Sequence, residues 1–181
     1  MKDKHAYLIM CHDNFKHLSK LLMALDDVRN DIYIHIDKKV VNFPLKDIEN
    51  SVKEASVVWV ERIPVGWGGD SQIKVELNLL EAATKSYHSY YHLISGVDFP
   101  LKSQDYIHQY FADNQGSEFI RFDDNFIRNK EFIDRIRYYY FFQNIIGRNS
   151  GKVPALFYRL QNCFLFFQKK KNNRATQRRL F

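Results

Sequence analysis

The chain's 181 residues are 45% hydrophobic and 27% charged, which places it among globular proteins of about one domain, able to bury a substantial core. The net charge of +6 hints at an anionic partner, yet residues 126–181 hold 13 Lys or Arg against 2 Asp or Glu, whereas residues 1–125 hold 14 against 19. An acidic body with a basic end is not a uniformly basic chain, no RNA or DNA module is spelled out, and no nucleic-acid partner is expected.

The first apolar run, "HAYLIMC" (5–11), has strand length, and "HDN" after it supplies capping residues for a helix on which Phe15, Leu18, Leu22 and Leu25 recur at helical spacing. The run is too short for a signal peptide or a membrane span, so a cytoplasmic protein is expected. Ile32–Ile36 reads as a second strand, Pro44 opens a short helix, and "SVVWV" (56–60) is a third strand. Beyond the glycine-rich "PVGWGGDS", Ile73, Leu77, Leu80 and Ala83 mark a long helix capped by Asp70 or Ser71. "YYHLIS" (90–95) is a fourth strand, a helix follows from about Ser103 to Phe111, and "SEFIRF" (117–122) reads as a fifth strand.

Alternating strands and helices predict an α/β fold with a mainly parallel sheet flanked by helices. From Asn125 onward the pattern turns aromatic, basic and helical: "RYYYFFQNII" and "VPALFYRLQNCFLFF" carry more apolar surface than a simple amphipathic helix needs. The final "QKKKNNRATQRRLF" lacks hydrophobic periodicity and is expected to fray or to be disordered. Cys11 and Cys163 show neither a disulfide framework nor zinc spacing, so both are expected to be reduced, buried thiols.

Chemistry is expected where strands end. Alternation along "IYIHIDKK" puts His35 and Asp37 on one face and Ile34 and Ile36 on the other, so the polar pair leaves the core at the strand's carboxyl end. In parallel sheets that edge binds ligands, and a carboxylate there can hydrogen-bond a ribose or a base; a strand terminus that merely becomes solvated is the alternative. His35 and Asp37 have a metal-compatible spacing but no evident third ligand, and there is no Asp-x-Asp pair for a nucleotide-bound cation. In "VGWGGDS" (65–71) glycines let the backbone approach a ligand, and an aromatic there can stack on a sugar or base. Asp98 follows the fourth strand in "SGVDFPLKS", as a turn residue or as a second carboxylate at the same edge.

Taken in order and at these intervals, "HAYLIMCHDNF", "IYIHIDKK", "VGWGGDSQIKVELNLLEAA" and "YYHLISGVDFPLKS" resemble the core-2/I-branching β-1,6-N-acetylglucosaminyltransferase family, which includes the xylosyltransferases. The resemblance covers roughly residues 4 to 122 and looks bacterial. It implies a GT-A-like nucleotide-binding fold, a UDP-sugar donor carrying N-acetylglucosamine or xylose, inversion at the anomeric carbon, no cofactor and no divalent metal. Asp37 looks like the aspartate that contacts uracil, with His35 beside it, and Asp98 resembles the aspartate near the donor sugar. Trp67, Gly68 and Ser71 fall in the loop bordering the donor pocket, and Glu118, Arg121 and Asp123 fall where acceptor contacts are expected.

The family's base, a glutamate, and its basic pair lie in a C-terminal half with a Gly-Ser-x-Trp segment that these residues do not contain. The expectation is thus a donor-binding half: a nucleotide-sugar region (1–124), a helical aromatic and basic region (125–168) and a basic tail (169–181). The acceptor is expected to be a saccharide or lipid-linked saccharide of a surface polysaccharide. The apolar run 153–167 between Lys152 and Lys169–Lys171 also suits an anionic membrane surface.

Overall fold

The computed structural model describes residues 4–66, 68–119, 137–147 and 151–171. The chain divides into two compact units, Met1–Val65 with Asp70–Ser117 and Gly66–Gly69 with Glu118–Phe181.

The first unit is built on four strands, β1 (His5–Cys11), β2 (Asn30–Ile36), β3 (Ser56–Trp59) and β4 (Tyr90–Ser95), all parallel and ordered β3-β2-β1-β4. Registers place Cys11 beside Ile36 and Met10 beside Ser95, so the carboxyl ends of β2, β1 and β4 lie along one edge. Helices α1 (Phe15–Leu25), α2 (Leu45–Glu49) and α3 (Asp70–Ala83) make the crossovers, and α4 (Gln104–Asp113) follows β4. Crossovers between parallel strands are right-handed, so the steps from β1 to β2 to β3 put α1 and α2 on one face. The reversed step from β3 back past β1 to β4 puts α3 on the other.

The side chains sort accordingly. Tyr7, Ile9, Cys11, Ile32, Ile34 and Ile36 pack with Leu18, Leu21, Leu22 and Leu25 of α1 and with Ile48 of α2. Ala6, Leu8 and Tyr33 pack with Val75, Leu79 and Ala83 of α3. Both central strands are therefore buried on two faces, which explains their unbroken apolar runs. Each fully buried leucine contributes about 1.5–3 kcal/mol, so the four on α1 anchor that helix far more than its cap does. Asn14 occupies the cap position in a left-handed conformation (φ 49°, ψ 48°) without a side-chain capping bond.

On α3 the buried stripe differs from the expected one. Ile73 and Leu77 are each 59% exposed and Leu80 37%, whereas Val75 and Leu79 face the sheet together with the expected Ala83. The helix carries two apolar stripes that meet at Ala83, and the one through Val75 and Leu79 is seated over Ala6 and Leu8. α4 starts as expected, with Ser103 Oγ accepting from Tyr106 N at 3.3 Å. Ser117–Phe119, the described part of the expected fifth strand, is not extended into a strand, and the rest of that stretch lies outside the described residues.

In the second unit α5 (Gln143–Ile146) precedes α6 (Lys152–Lys171), which runs three residues into the expected tail. Gln161 and Gln168 of α6 hold the segment before α5: Gln161 Oε1 accepts from Phe142 N (3.2 Å), and Gln168 both accepts from Tyr139 N (2.7 Å) and donates to Tyr139 O (2.9 Å). Phe142 packs on Phe157, their ring centroids 5.1 Å apart. Cys11 is buried but Cys163 is exposed on α6, correcting the expectation of two buried thiols. Cys163 lies 200° around the helix from the buried Gln161, on the opposite side.

Candidate functional site

Reversal of strand order makes the gap between β1 and β4 a topological switch point, where parallel α/β sheets open a crevice at their carboxyl edge. Three turns border it. After β1 come His12, Asp13 and Asn14, followed at once by α1, whose first turn contains Lys16 and no acidic residue. The positive end of a helix dipole thus stands at the crevice. After β2 comes Asp37, and after β4 the turn Ser95–Asp98. The exits of β2 and β4 are two strand spacings apart, roughly 10 Å, wide enough for a nucleoside.

Asp37 is only 8% exposed, yet its carboxylate is half free. Oδ1 accepts from Lys39 N (2.9 Å) and Val65 N (3.2 Å), whereas Oδ2 has no hydrogen-bond partner among the described residues. The backbone of the turn is held as firmly: Asp37 N donates to Cys11 O and Lys38 N to Ile63 O. Arg62 closes it from below. Its guanidinium donates to the carbonyls of Ile36 (3.1 Å), Asp37 (2.8 Å) and Val40, and stacks over Phe43 at 5.0 Å. Lys39 Nζ completes the clasp on Val65 O (2.7 Å).

His35 does not leave the core with Asp37. It is 1% exposed, and its Nε2 accepts the N–H of Ile63 at 3.1 Å. That bond requires an unprotonated Nε2. Burial pushes the pKa of His35 down and Arg62 adds to this, against the opposing pull of Asp37. Its place in the structure is therefore to hold segment 60–65 against the Asp37 turn.

Asp98 repeats the pattern at the other side of the crevice. Oδ2 accepts from Ser95 N (2.6 Å), closing its own turn, and Oδ1 has no partner among the described residues. Asp98 O accepts from His17 Nε2 at 3.2 Å, tying the turn to the start of α1. Gly96 lets the turn lie against β1: its N–H donates to Met10 O, and a Cβ at this position would stand 2.7 Å from Cys11 Sγ. Cys11 itself donates to Asp13 O, and burial raises its thiol to about 11, so it is not a thiolate nucleophile.

The other expected site residues divide by unit. Ser71 lies on the first turn of α3 in the first unit. Gly68 belongs to the second, where its φ of 70° favours glycine and Gln143 Nε2 would meet an added Cβ at 3.1 Å. Glu118 is exposed and also belongs to the second unit, whereas Trp67, Arg121 and Asp123 lie outside the described residues. His12, His17, Lys39 and Arg62 at the crevice were not singled out from the sequence; their signal is proximity to a strand end, which becomes informative only once strand order is known.

A cavity of about 480 Å³ lies away from this edge, at the amino ends of β1, β2 and β4, lined by His5, Arg29, Tyr90, His108, Gln109 and Phe111 among others. Its polar groups satisfy one another: Arg29 pairs with Asp27 and Asp105, His108 meets Asn30 Oδ1 at 2.9 Å, and His5 meets His92 at 3.1 Å. None of the expected site residues borders it. Among the described residues no group of three or more His, Cys, Asp or Glu is arranged to hold a metal ion.

No curated protein matches the chain. The family model described as Core-2/I-Branching enzyme matches residues 5–155, spanning the sheet and reaching into α6. With four parallel strands in GT-A-like α/β order and two carboxylates at the carboxyl edge, the chain belongs to the core-2/I-branching enzymes, a glycosyltransferase family that uses nucleotide-sugar donors.

Proposed function

We propose that the chain binds a UDP-sugar, carrying N-acetylglucosamine or xylose, at the carboxyl edge of the sheet, as the donor-binding part of an enzyme that transfers the sugar with inversion to a saccharide hydroxyl. The acceptor is a saccharide, free or lipid-linked, of a bacterial surface polysaccharide. The observation that carries this reading is Asp37: one oxygen locked by two backbone N–H groups, the other without a partner among the described residues, in a nearly buried site. A fixed, lone acceptor suits the imide N–H of uracil, because a site built to accept that proton discriminates against bases that cannot donate it. We assign Asp98 Oδ1, across the crevice, to hydroxyls of the donor sugar.

In the reaction the acceptor oxygen attacks the anomeric carbon from the face opposite the diphosphate, the bond to UDP breaks, and the acceptor proton passes to a carboxylate base. The leaving diphosphate gathers charge, and the N-terminal end of α1 with Lys16 answers it without a metal ion. Glu118, Arg121 and Asp123 are the candidates for acceptor contacts, and Trp67 with Gly68 for the border of the donor pocket.

Calorimetric titration with UDP, UDP-N-acetylglucosamine and UDP-xylose in EDTA tests the reading. Binding that survives the chelator and is lost in Asp37→Asn is expected. Undiminished affinity in that variant would overturn the role of Asp37, and loss in EDTA would overturn the metal-free donor site.

A further inference from the structure

Helix α6 carries two apolar stripes, and only one is used. At 100° per residue, Pro154, Phe157, Gln161, Leu165 and Gln168 fall within one 80° sector, and these are its buried or half-buried positions. Val153, Leu156, Leu160, Phe164 and Phe167 fall within an adjoining sector of similar width and are 42% to 61% exposed. Phe164 stands at the boundary, its ring 5.7 Å from that of Phe141. The open stripe runs over 14 residue steps, roughly 21 Å of helix.

Beyond its far edge lie cations, with the exposed Phe166 beside them. Lys152 and Arg159 lie next to the sector of Leu156, and the helix holds five Lys or Arg with no Asp or Glu. Residues 172–181 add three arginines and again no acid. A long exposed row of Leu, Val and Phe beside cations of one sign has the composition of a helix that lies in a bilayer interface. No helix among the described residues is long and apolar enough to cross a membrane.

We propose that the open stripe of α6 docks on an anionic lipid surface, the aliphatic and aromatic side chains entering the acyl boundary while Lys152 and Arg159 meet the headgroups. Charge complementarity selects this occupant, because an apolar groove on a protein would need no such excess of cations, whereas each cation near an anionic leaflet strengthens binding about fivefold. The inference is independent of the donor edge, since it rests on residues of the second unit alone.

Flotation of the full chain with vesicles of pure phosphatidylcholine, and of phosphatidylcholine mixed with phosphatidylglycerol, tests it. Binding is expected on the anionic vesicles, weakening with added salt. The exposed double variant Leu160→Glu with Phe167→Glu should lose it at least tenfold while keeping its circular dichroism and thermal midpoint. Lys152→Ala with Arg159→Ala should weaken it about 25-fold, keeping the apolar stripe intact. Absent binding, equal binding to both vesicles, or indifference to both variants would overturn the proposal. So would a concentration-dependent dimer, seen by light scattering and abolished by the glutamate pair without any vesicle binding, because the stripe would then meet a second copy.

Discussion

Replacing Gly96 with alanine places a methyl group 2.7 Å from Cys11 Sγ, 2.9 Å from Cys11 Cβ and 3.4 Å from Cys11 Cα. The conflict is purely one of space, since Gly96 does not use the left-handed backbone region that favours glycine. Rotation of the thiol relieves only the first contact. The other two belong to atoms fixed by β1, which is paired on both sides with β2 and β4 and cannot retreat alone. Overpacking of this kind costs about 1–3 kcal/mol, and about 2 kcal/mol lowers the thermal midpoint of a chain this size by about 4–8 °C. Urea titration followed by circular dichroism measures it, with Cys11→Ala as partner in a double-mutant cycle. The pair should recover part of the loss, a coupling of at least about 0.5 kcal/mol. The strain falls on the turn that carries Asp98, so affinity for a UDP-sugar should fall more than affinity for UDP. An unchanged urea midpoint for Gly96→Ala, or strict additivity with Cys11→Ala, would refute the claim that close approach of β1 and β4 shapes the crevice.

Asp37→Ala should cost about 1–3 kcal/mol of stability by stranding the N–H groups of Lys39 and Val65, whereas Asp37→Asn keeps an acceptor for both and should unfold near the wild-type midpoint; both should lose UDP binding by calorimetry. Arg62→Lys should raise the dissociation constant for UDP and speed amide exchange at residues 37–40 without global unfolding, because an ammonium cannot reproduce a planar fork on three carbonyls. Burial, reinforced by neighbouring positive groups, holds His5 down at about 3 and His92 at about 4. Below the ordinary histidine pKa of about 6.5 the unfolded chain therefore binds protons that the folded chain refuses, and the unfolding free energy from urea titration should fall from pH 6.5 toward pH 4 with a slope approaching about 1.4 kcal/mol per pH unit for each histidine. Asp27, held down at about 2 first by its bond from Arg29, stabilises the fold above the ordinary carboxylate pKa and adds its own loss only below about pH 4.

How far the fold was legible depended on where each residue's partner lies. β1 and β4 were read at their observed bounds because unbroken apolar runs state their own limits. β2 begins two residues earlier than expected, at Asn30 and Asp31. Those polar side chains are satisfied by Gln104 and His108, and by Lys4 and His88, partners far away in the chain that periodicity does not reveal. The face of His35 was correct in parity, but its burial depends on one N–H from Ile63. On α3 two apolar stripes competed, and only the shape of the sheet beneath it, small at Ala6, chooses between them.

The proposed donor edge was legible for a topological reason. In a parallel sheet every strand ends at the same side, so each polar residue that closes an apolar run is delivered to one edge whatever the strand order. Asp37 and Asp98 needed nothing more than the ends of "YIHI" and "YHLIS" to be placed together there. What strand order adds is the pivot: β1, lying between their strands, brings His12, Asp13 and the positive end of α1 into the same crevice. Glu118 has no such guarantee, since Ser117–Phe119 leaves α4 without forming a strand and so is not carried to the edge by the sheet. Carboxylates at a sheet edge can thus be read from strand ends alone, whereas Glu118, proposed for acceptor contacts, lies on a segment that the sheet edge does not align.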